Sequence, residues 1–338
     1  MSLTQRLDAF QRRHPWAGYP LAVIYKAADD QVNYLAALIA YYGFLSLFPL
    51  LLLLASILGI VLRGNPALQA RILETALTQF PVIGEQLVDP EGLGGRGWGL
   101  VVGLVVSLYG GMKVSQATQH AMNILWAVPR DRRPDVIRSR ARSLVLLATV
   151  GVAVLATTVL SALGSSAEAF GASIGVGVKA AVTLASVVLN TAVFVLGFRV
   201  TTSHPLPLRE HLPGAVTAAV VWQLLQSFGA AYVGYVVKDA SATNGVFALV
   251  LGLVAWIYLG AATVLLCAEI NVVRAKHLYP RALLTPFTDA VDLTTADERA
   301  YAQYAKAERA KGFESVDVSF EGDDPEGSIR APGATGER

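Results

Sequence analysis

Hydrophobic residues run through this chain in six stretches of roughly 20 positions, the length a helix rising 1.5 Å per residue needs to cross a hydrocarbon core. They are Asn33–Leu62, Trp98–Val114, Ser143–Leu163, Val176–Phe198, Gly214–Val237 and Val246–Ala268. None sets an apolar stripe against a charged face, as a helix on a soluble core does. The pattern predicts an all-α fold, a polytopic membrane bundle of six transmembrane helices. Composition agrees, with 54% hydrophobic and 15% charged residues and a mean hydropathy of +0.50.

The basic residues give the bundle a direction, because they gather in alternate loops. Counted by side, 22 fall with the two termini and the second and fourth loops, and 5 fall opposite. By the positive-inside rule both termini are cytoplasmic. Three regions follow: a cytoplasmic N-terminal segment (1–32), the membrane domain (33–275) and a cytoplasmic tail (276–338) whose Gly, Pro, Asp, Glu and Ser content predicts disorder from residue 313 onward. The first 32 residues are of mixed charge and lack an apolar run before a small-residue cleavage site, so the first span is expected to direct insertion.

Within the first span, Pro49 removes a helical hydrogen bond and predicts a tilted or broken helix. Residues 66–80 place Leu68, Ile72, Leu73, Ala76, Leu77 and Phe80 on one face. That is an amphipathic helix on the outer membrane surface or, equally, a solvated helix packed on the bundle. The second span continues as a helix through Ser115 to Trp126. Gly99, Gly103, Ser107, Gly111 and Ser115 recur along it at a spacing of four, a stripe that lets two helix backbones approach, with room for a ligand as the alternative. Pro213 suits the first turn of the fifth helix. The tail predicts a helix over Thr295–Lys311, with Thr295 and Glu298 spaced as a capping box.

Little of the chain suggests catalysis. The five histidines are scattered, acidic residues lie almost wholly outside the spans, and the one cysteine, Cys267, sits among Leu265, Leu266 and Ala268 as an inert thiol. No metal, cofactor or enzymatic activity is expected. A net charge of +2 leaves no nucleic-acid footprint. The local excess in Arg130, Arg132, Arg133, Arg138, Arg140 and Arg142 instead fits contact with anionic headgroups.

Two sets of polar residues remain as candidates. Glu269, in Cys267-Ala268-Glu269-Ile270-Asn271, ends the sixth span where Arg199 and the arginines before the third span are also expected. A carboxylate there is costly unless paired or wet, so Glu269, Asn271 and Arg199 read as a structural ion pair or as a cytoplasmic gate, a proton site or a headgroup site. Asn190, with Ser186 and Thr183, and Gln223, Gln226 and Ser227 fall at mid-membrane, each set on one helical face. They serve as interhelical glue or line a polar path.

Several segments together resemble one family. Ala37-Leu38-Ile39-Ala40-Tyr41-Tyr42, Ser46-Leu47-Phe48-Pro49, Ala121-Met122-Asn123-Ile124-Leu125-Trp126, Pro213-Gly214 with Trp222, Asn244-Gly245, Trp256-Ile257-Tyr258 and Ala268-Glu269-Ile270-Asn271 look like the YihY/BrkB proteins of bacterial inner membranes. The resemblance runs from Tyr25 to Ala275. It implies a six-helix integral protein of a family linked to serum resistance, virulence and export of lipid precursors. The family's older ribonuclease BN label does not fit these residues, and the resemblance brings no accepted set of site residues. The expected function is therefore transport or flipping of an anionic lipid or amphiphile in envelope maintenance. The alternative is a scaffold for envelope-assembly partners or a homo-oligomer, and a metal-dependent ribonuclease comes last. No GxxxxGK[ST] motif occurs, so uphill transport would need an ion gradient or a partner.

Overall fold

A computed structural model describes residues 3–61, 98–169, 176–203, 206–236, 242–288 and 291–320. Among these residues there are helices and no strands. They are α1 (Leu3–Arg13), α2 (Pro15–Asp29), α3 (Val32–Val61), α4 (Trp98–Leu125), α5 (Val136–Ala169), α6 (Val176–Thr201), α7 (Leu208–Val236), α8 (Ala242–Ala275) and α9 (Thr295–Ala307), with a short 3-10 turn at Arg130–Arg132.

The long helices carry the expected apolar runs but extend past them. α4 runs to Leu125, as the sequence predicts, and α5 begins at Val136 rather than Ser143. α7 begins at Leu208, so Pro213 lies inside it rather than in its first turn. α3 is continuous through Pro49, so of the two expectations, tilted or broken, the break does not occur. The N-terminal segment is the larger departure. It folds into α1 and α2, joined at His14, with Pro15 at the first position of α2, where its missing N–H costs nothing. The tail helix is shorter than predicted, and its capping box is Thr294 with Asp297, one residue earlier than Thr295 with Glu298. The amphipathic stretch at 66–80 lies outside the described residues, as does the chain beyond residue 320.

α3 packs against α4 and α8, α7 lies between α6 and α8, and α5 bridges α4 and α6. Two windows within these helices, Thr183–Thr201 in α6 and Val250–Ala275 in α8, are long and apolar enough to cross a membrane. Only 6% of the first and 22% of the second is buried, where a soluble core helix would be mostly covered. The outward faces are apolar elsewhere too. α7 turns out Val216, Val220, Leu224 and Phe228 at a strict spacing of four, and α3 turns out Tyr34, Leu38, Tyr41 and Leu45. The result is an all-helical membrane protein whose exterior suits lipid rather than water.

Small residues set the helix contacts, though not along the predicted stripe alone. A Cβ on Gly110 would meet Ser46 of α3 at 2.7 Å, and one on Gly111 would meet Leu147 of α5 at 2.9 Å. Ser107 is buried with them. The α3 approach therefore uses Gly110, one position off the stripe, and the stripe residue Gly111 faces α5. Gly99 and Gly103 lie in the first turns of α4, where only the backbone is described.

Candidate functional site: a buried charge cluster where the termini meet

Four ionisable side chains converge where α2, the C-terminal end of α4 and the C-terminal end of α8 come together. Lys26 is 1% exposed and Glu269 0%. The Lys26 ammonium pairs with Asp30 one turn along α2, donates to the Leu125 carbonyl at 3.0 Å and stands 3.9 Å from Glu269. Lys276, just past α8, donates to the Trp126 carbonyl and lies 5.9 Å from the centre of the Trp126 ring.

The ends of α4 and α8 explain the two lysines. Both helices close with a non-glycine residue in the left-handed region, Ala127 at φ 46° and His277 at φ 51°. Each is followed by a paired return of N–H groups: Ala127 N–H to Ile124 O and Val128 N–H to Asn123 O on α4, and His277 N–H to Arg274 O and Leu278 N–H to Val273 O on α8. That geometry leaves the Leu125 and Trp126 carbonyls facing inward at the negative end of the α4 dipole. Two ammonium groups satisfy them, and the Asp30 carboxylate pairs with the Lys26 ammonium. Neither Glu269 carboxylate oxygen accepts a hydrogen bond from the described residues.

A second group covers the first. Arg281, 1% exposed, pairs with Asp297 of α9 and lies 3.3 Å from Asp29 of α2. Asp297 also accepts from the Ala282 N–H at 2.9 Å and from the Thr294 hydroxyl at 2.7 Å, so the cap of α9 and the arginine clamp share one carboxylate. The Tyr304 ring of α9 lies 5.0 Å from the Lys26 ammonium. Burial pushes the Tyr304 phenol well up, with Asp30, Asp29 and Glu269 adding to it. Burial also pulls the Lys276 ammonium down to about 8, and Lys26 adds to that effect. Arg281 keeps its proton more tightly than usual because Asp297 and Asp29 outweigh its burial. Beside the cluster is a cavity of about 460 Å3, lined by Asp29, Asp30, Tyr34, Ile124, Arg133 and Tyr304.

The predicted site residues distribute unevenly around this centre. Glu269 lies inside it but meets Lys26, not Arg199, which is exposed at the end of α6. Asn271 is buried, and its side-chain oxygen accepts from the Gly214 N–H at 2.8 Å, which locks α7 to α8. Among the six loop arginines, Arg130 pairs with Glu308 of the tail at 2.5 Å, Arg133 donates to the Val128 carbonyl and Arg142 donates to Ser203. Burial, with Arg130 nearby, lowers the Arg133 pKa. Arg132, Arg138 and Arg140 are exposed. On α6 and α7, Asn190, Gln223 and Gln226 are half-buried, whereas Ser227 is exposed and donates to the Gln223 carbonyl of its own helix. Ser227 therefore points away from any shared path.

The sequence reading missed Lys26, Asp30, Lys276, Arg281 and Asp297. The available signal was a lone lysine inside the apolar run Trp16–Ala28, with Asp30 four residues beyond it. Among the described residues, no three His, Cys, Asp or Glu side chains are grouped to hold a metal.

A family model described as Virulence factor BrkB matches residues 23–288. The putative ribonuclease-like protein YfkH of Bacillus subtilis is 26% identical over 259 residues, 72% of this chain and 90% of that protein. The UPF0761 membrane protein Smlt0865 of Stenotrophomonas maltophilia is 28% identical over 267 residues, 74% of this chain and 59% of its own length. No solved structure matches the chain.

Proposed function

Because the chain belongs to the BrkB virulence-factor family, we propose that it is a multi-pass protein of the cytoplasmic membrane, crossing it six times with both termini inside, that moves an anionic lipid or amphiphile. One observation carries this reading. Arg132, Arg138 and Arg140 are exposed beside Val136 and Ile137, which are 65% and 79% exposed, so the start of α5 offers cations and apolar side chains together. That combination fits an anionic headgroup above its acyl chain. The loop before it is held to the tail by two pairs, Arg130 with Glu308 and Arg309 with Asp131 at 3.4 Å. Asn190, Gln223 and Gln226, half-buried on α6 and α7, would supply the polar groups of a path through the apolar bundle.

The test is translocation of a fluorescent phosphatidylglycerol across liposomes holding the full chain. Replacing Gln223 and Gln226 with Leu should stop flux while the protein remains folded. Charge reversal at Arg132, Arg138 and Arg140 should slow it in a salt-dependent way. Flux equal to that of protein-free vesicles would refute transport and favour the scaffold.

A further inference from the structure

The N-terminal helix α2 is apolar on its outward side as well as its inward one, and its one lysine is buried. Its buried positions include Lys26 together with Ala22, Val23 and Ala27, while Trp16, Pro20, Ile24 and Ala28 are exposed. These four recur every fourth residue and so form one continuous outward stripe. The outward residues at its ends, Trp16 and Ile24, are 70% and 61% exposed. A helix facing water would carry its charges on that stripe and its small apolar residues inward. Here the only outward charge is Asp29 at the last turn, and it is engaged by Arg281.

The contacts of α2 give its direction. The Tyr19 hydroxyl donates to the Ile270 carbonyl at 2.6 Å, while Lys26 stands 3.9 Å from Glu269. Seven residues of α2 cover a rise of about 10.5 Å, yet the partners on α8 are one residue, or about 1.5 Å, apart. The two helices therefore cross steeply. The crossing falls inside the apolar Val250–Ala275 window, five or six residues before α8 ends, or about 8 Å along the helix from that end. A helix lying across a membrane-crossing one there runs along the membrane plane.

We propose that α2 is an in-plane membrane helix, its Trp16, Pro20, Ile24 and Ala28 face seated in the acyl chains just below the headgroups at the end of the bundle where the termini meet. Past the polar turn at exposed Asp29, Gln31 and Asn33, α3 again turns out Tyr34 and Leu38. At the other end of α2, Trp16 joins Phe10 and His14 in an aromatic group with ring centres 4.3 to 6.3 Å apart, flanked by exposed Arg6 and Arg13 on α1. Aromatic rings beside arginines mark headgroup depth. The buried Lys26, Asp30 and Glu269 then serve as the anchor that holds α2 at this level.

The test places a polarity-sensitive nitrobenzoxadiazole label on Ile24→Cys and, separately, on Phe313→Cys, in the full chain carrying Cys267→Ala and reconstituted in phosphatidylcholine–phosphatidylglycerol liposomes. Position 24 should emit to the blue and be quenched severalfold more by a nitroxide near the lipid headgroup than by aqueous iodide. Position 313, 88% exposed in the tail, should show the reverse. Iodide quenching at 24 equal to that at 313 would overturn the proposal, and so would stronger quenching by a nitroxide at mid-membrane. If the cysteine background fails to fold, the Trp16→Phe chain with brominated lipids replaces it. It should lose a lipid-quenchable part of the tryptophan emission, and an unchanged quenched fraction counts against α2 lying in lipid. Neither measurement reads flux, so their outcome is separate from that of the transport reading.

Discussion

Lys26→Met tests the buried cluster most directly, because methionine keeps an unbranched apolar side chain and deletes the charge. The substitution leaves Asp30 and Glu269 buried, with Lys276 as the remaining ammonium of the cluster, and removes the donor to the Leu125 carbonyl. Breaking a buried pair from one side costs about 3–5 kcal/mol, because the other charge stays without compensation. The orphaned helix-end carbonyl adds about 1 kcal/mol. A total of about 4–6 kcal/mol is expected. It would be measured as the shift in reversible unfolding by sodium dodecyl sulfate in mixed micelles, followed by circular dichroism. Adding Asp30→Asn should return part of the loss, since the double variant no longer buries that uncompensated carboxylate, and the coupling should reach about 1–3 kcal/mol. A Lys26→Met chain within about 0.5 kcal/mol of the native one, or strict additivity with Asp30→Asn, would refute the account of a charge-paired cap on α4.

Two further outcomes are expected from the same end of the bundle. Burial holds the Lys276 ammonium at about 8, below its ordinary 10.5, so between pH 8 and pH 10 the unfolded chain binds more protons than the folded one and stability rises with pH. The unfolding free energy of the native chain minus that of Lys276→Met should therefore climb across this window, and a flat difference would disprove it. Above pH 10 the contributions of Tyr19 and Tyr304 run the other way, because folding raises both phenols. Gly214→Ala would set a Cβ 2.1 Å from the Cys267 carbonyl and 2.6 Å from the Asn271 amide nitrogen, both on α8. Backbone cannot give way as a side chain does, so the cost should exceed the 1–3 kcal/mol typical of overpacking. Purified yield and melting temperature report it, and a native-like melting curve would mean that α7 and α8 do not touch there.

The fold was legible where the chain is uniformly apolar, because a 20-residue run without charge has few alternatives. α6 and α8 contain spans that the sequence marks, and the continuation of α4 to Leu125 follows from its unbroken helical composition. The candidate site was legible only at Glu269, since a carboxylate amid Cys267, Ala268 and Ile270 announces a need for a partner. Its partner was not legible. Arg199 is close in predicted depth, whereas Lys26 is more than 240 positions away in sequence and lies on a helix that is otherwise apolar inside and out. Pattern reading places a lone charge on such a helix outward, and Lys26 is buried. The small-residue stripe does hold packed positions, with Ser107 and Ser115 buried and Gly111 against Leu147 of α5. A spacing of four fixes a helical face to within one position, and the tightest approach to α3 fell on Gly110.

The extent of the family match divides the charges at this end into two layers. Residues 23–288 contain Lys26, Asp30, Glu269 and Lys276, so the inner cluster and the α4 cap it completes lie wholly within the part of the chain shared with the family. Arg281 and Asp29 are also inside the match, but Asp297 and Tyr304 are beyond it on α9. The tail helix therefore supplies the short, shared carboxylate that neutralises Arg281, and it lays an aromatic ring over Lys26. Removing one partner of a buried pair is costly because the other charge stays buried without compensation. In this chain the bundle, α2 and α9 each supply part of the cover over the cluster, with the cavity lined by Asp29, Asp30 and Tyr304 beside it. That arrangement accounts for why both ends of the chain fold onto the ends of α4 and α8.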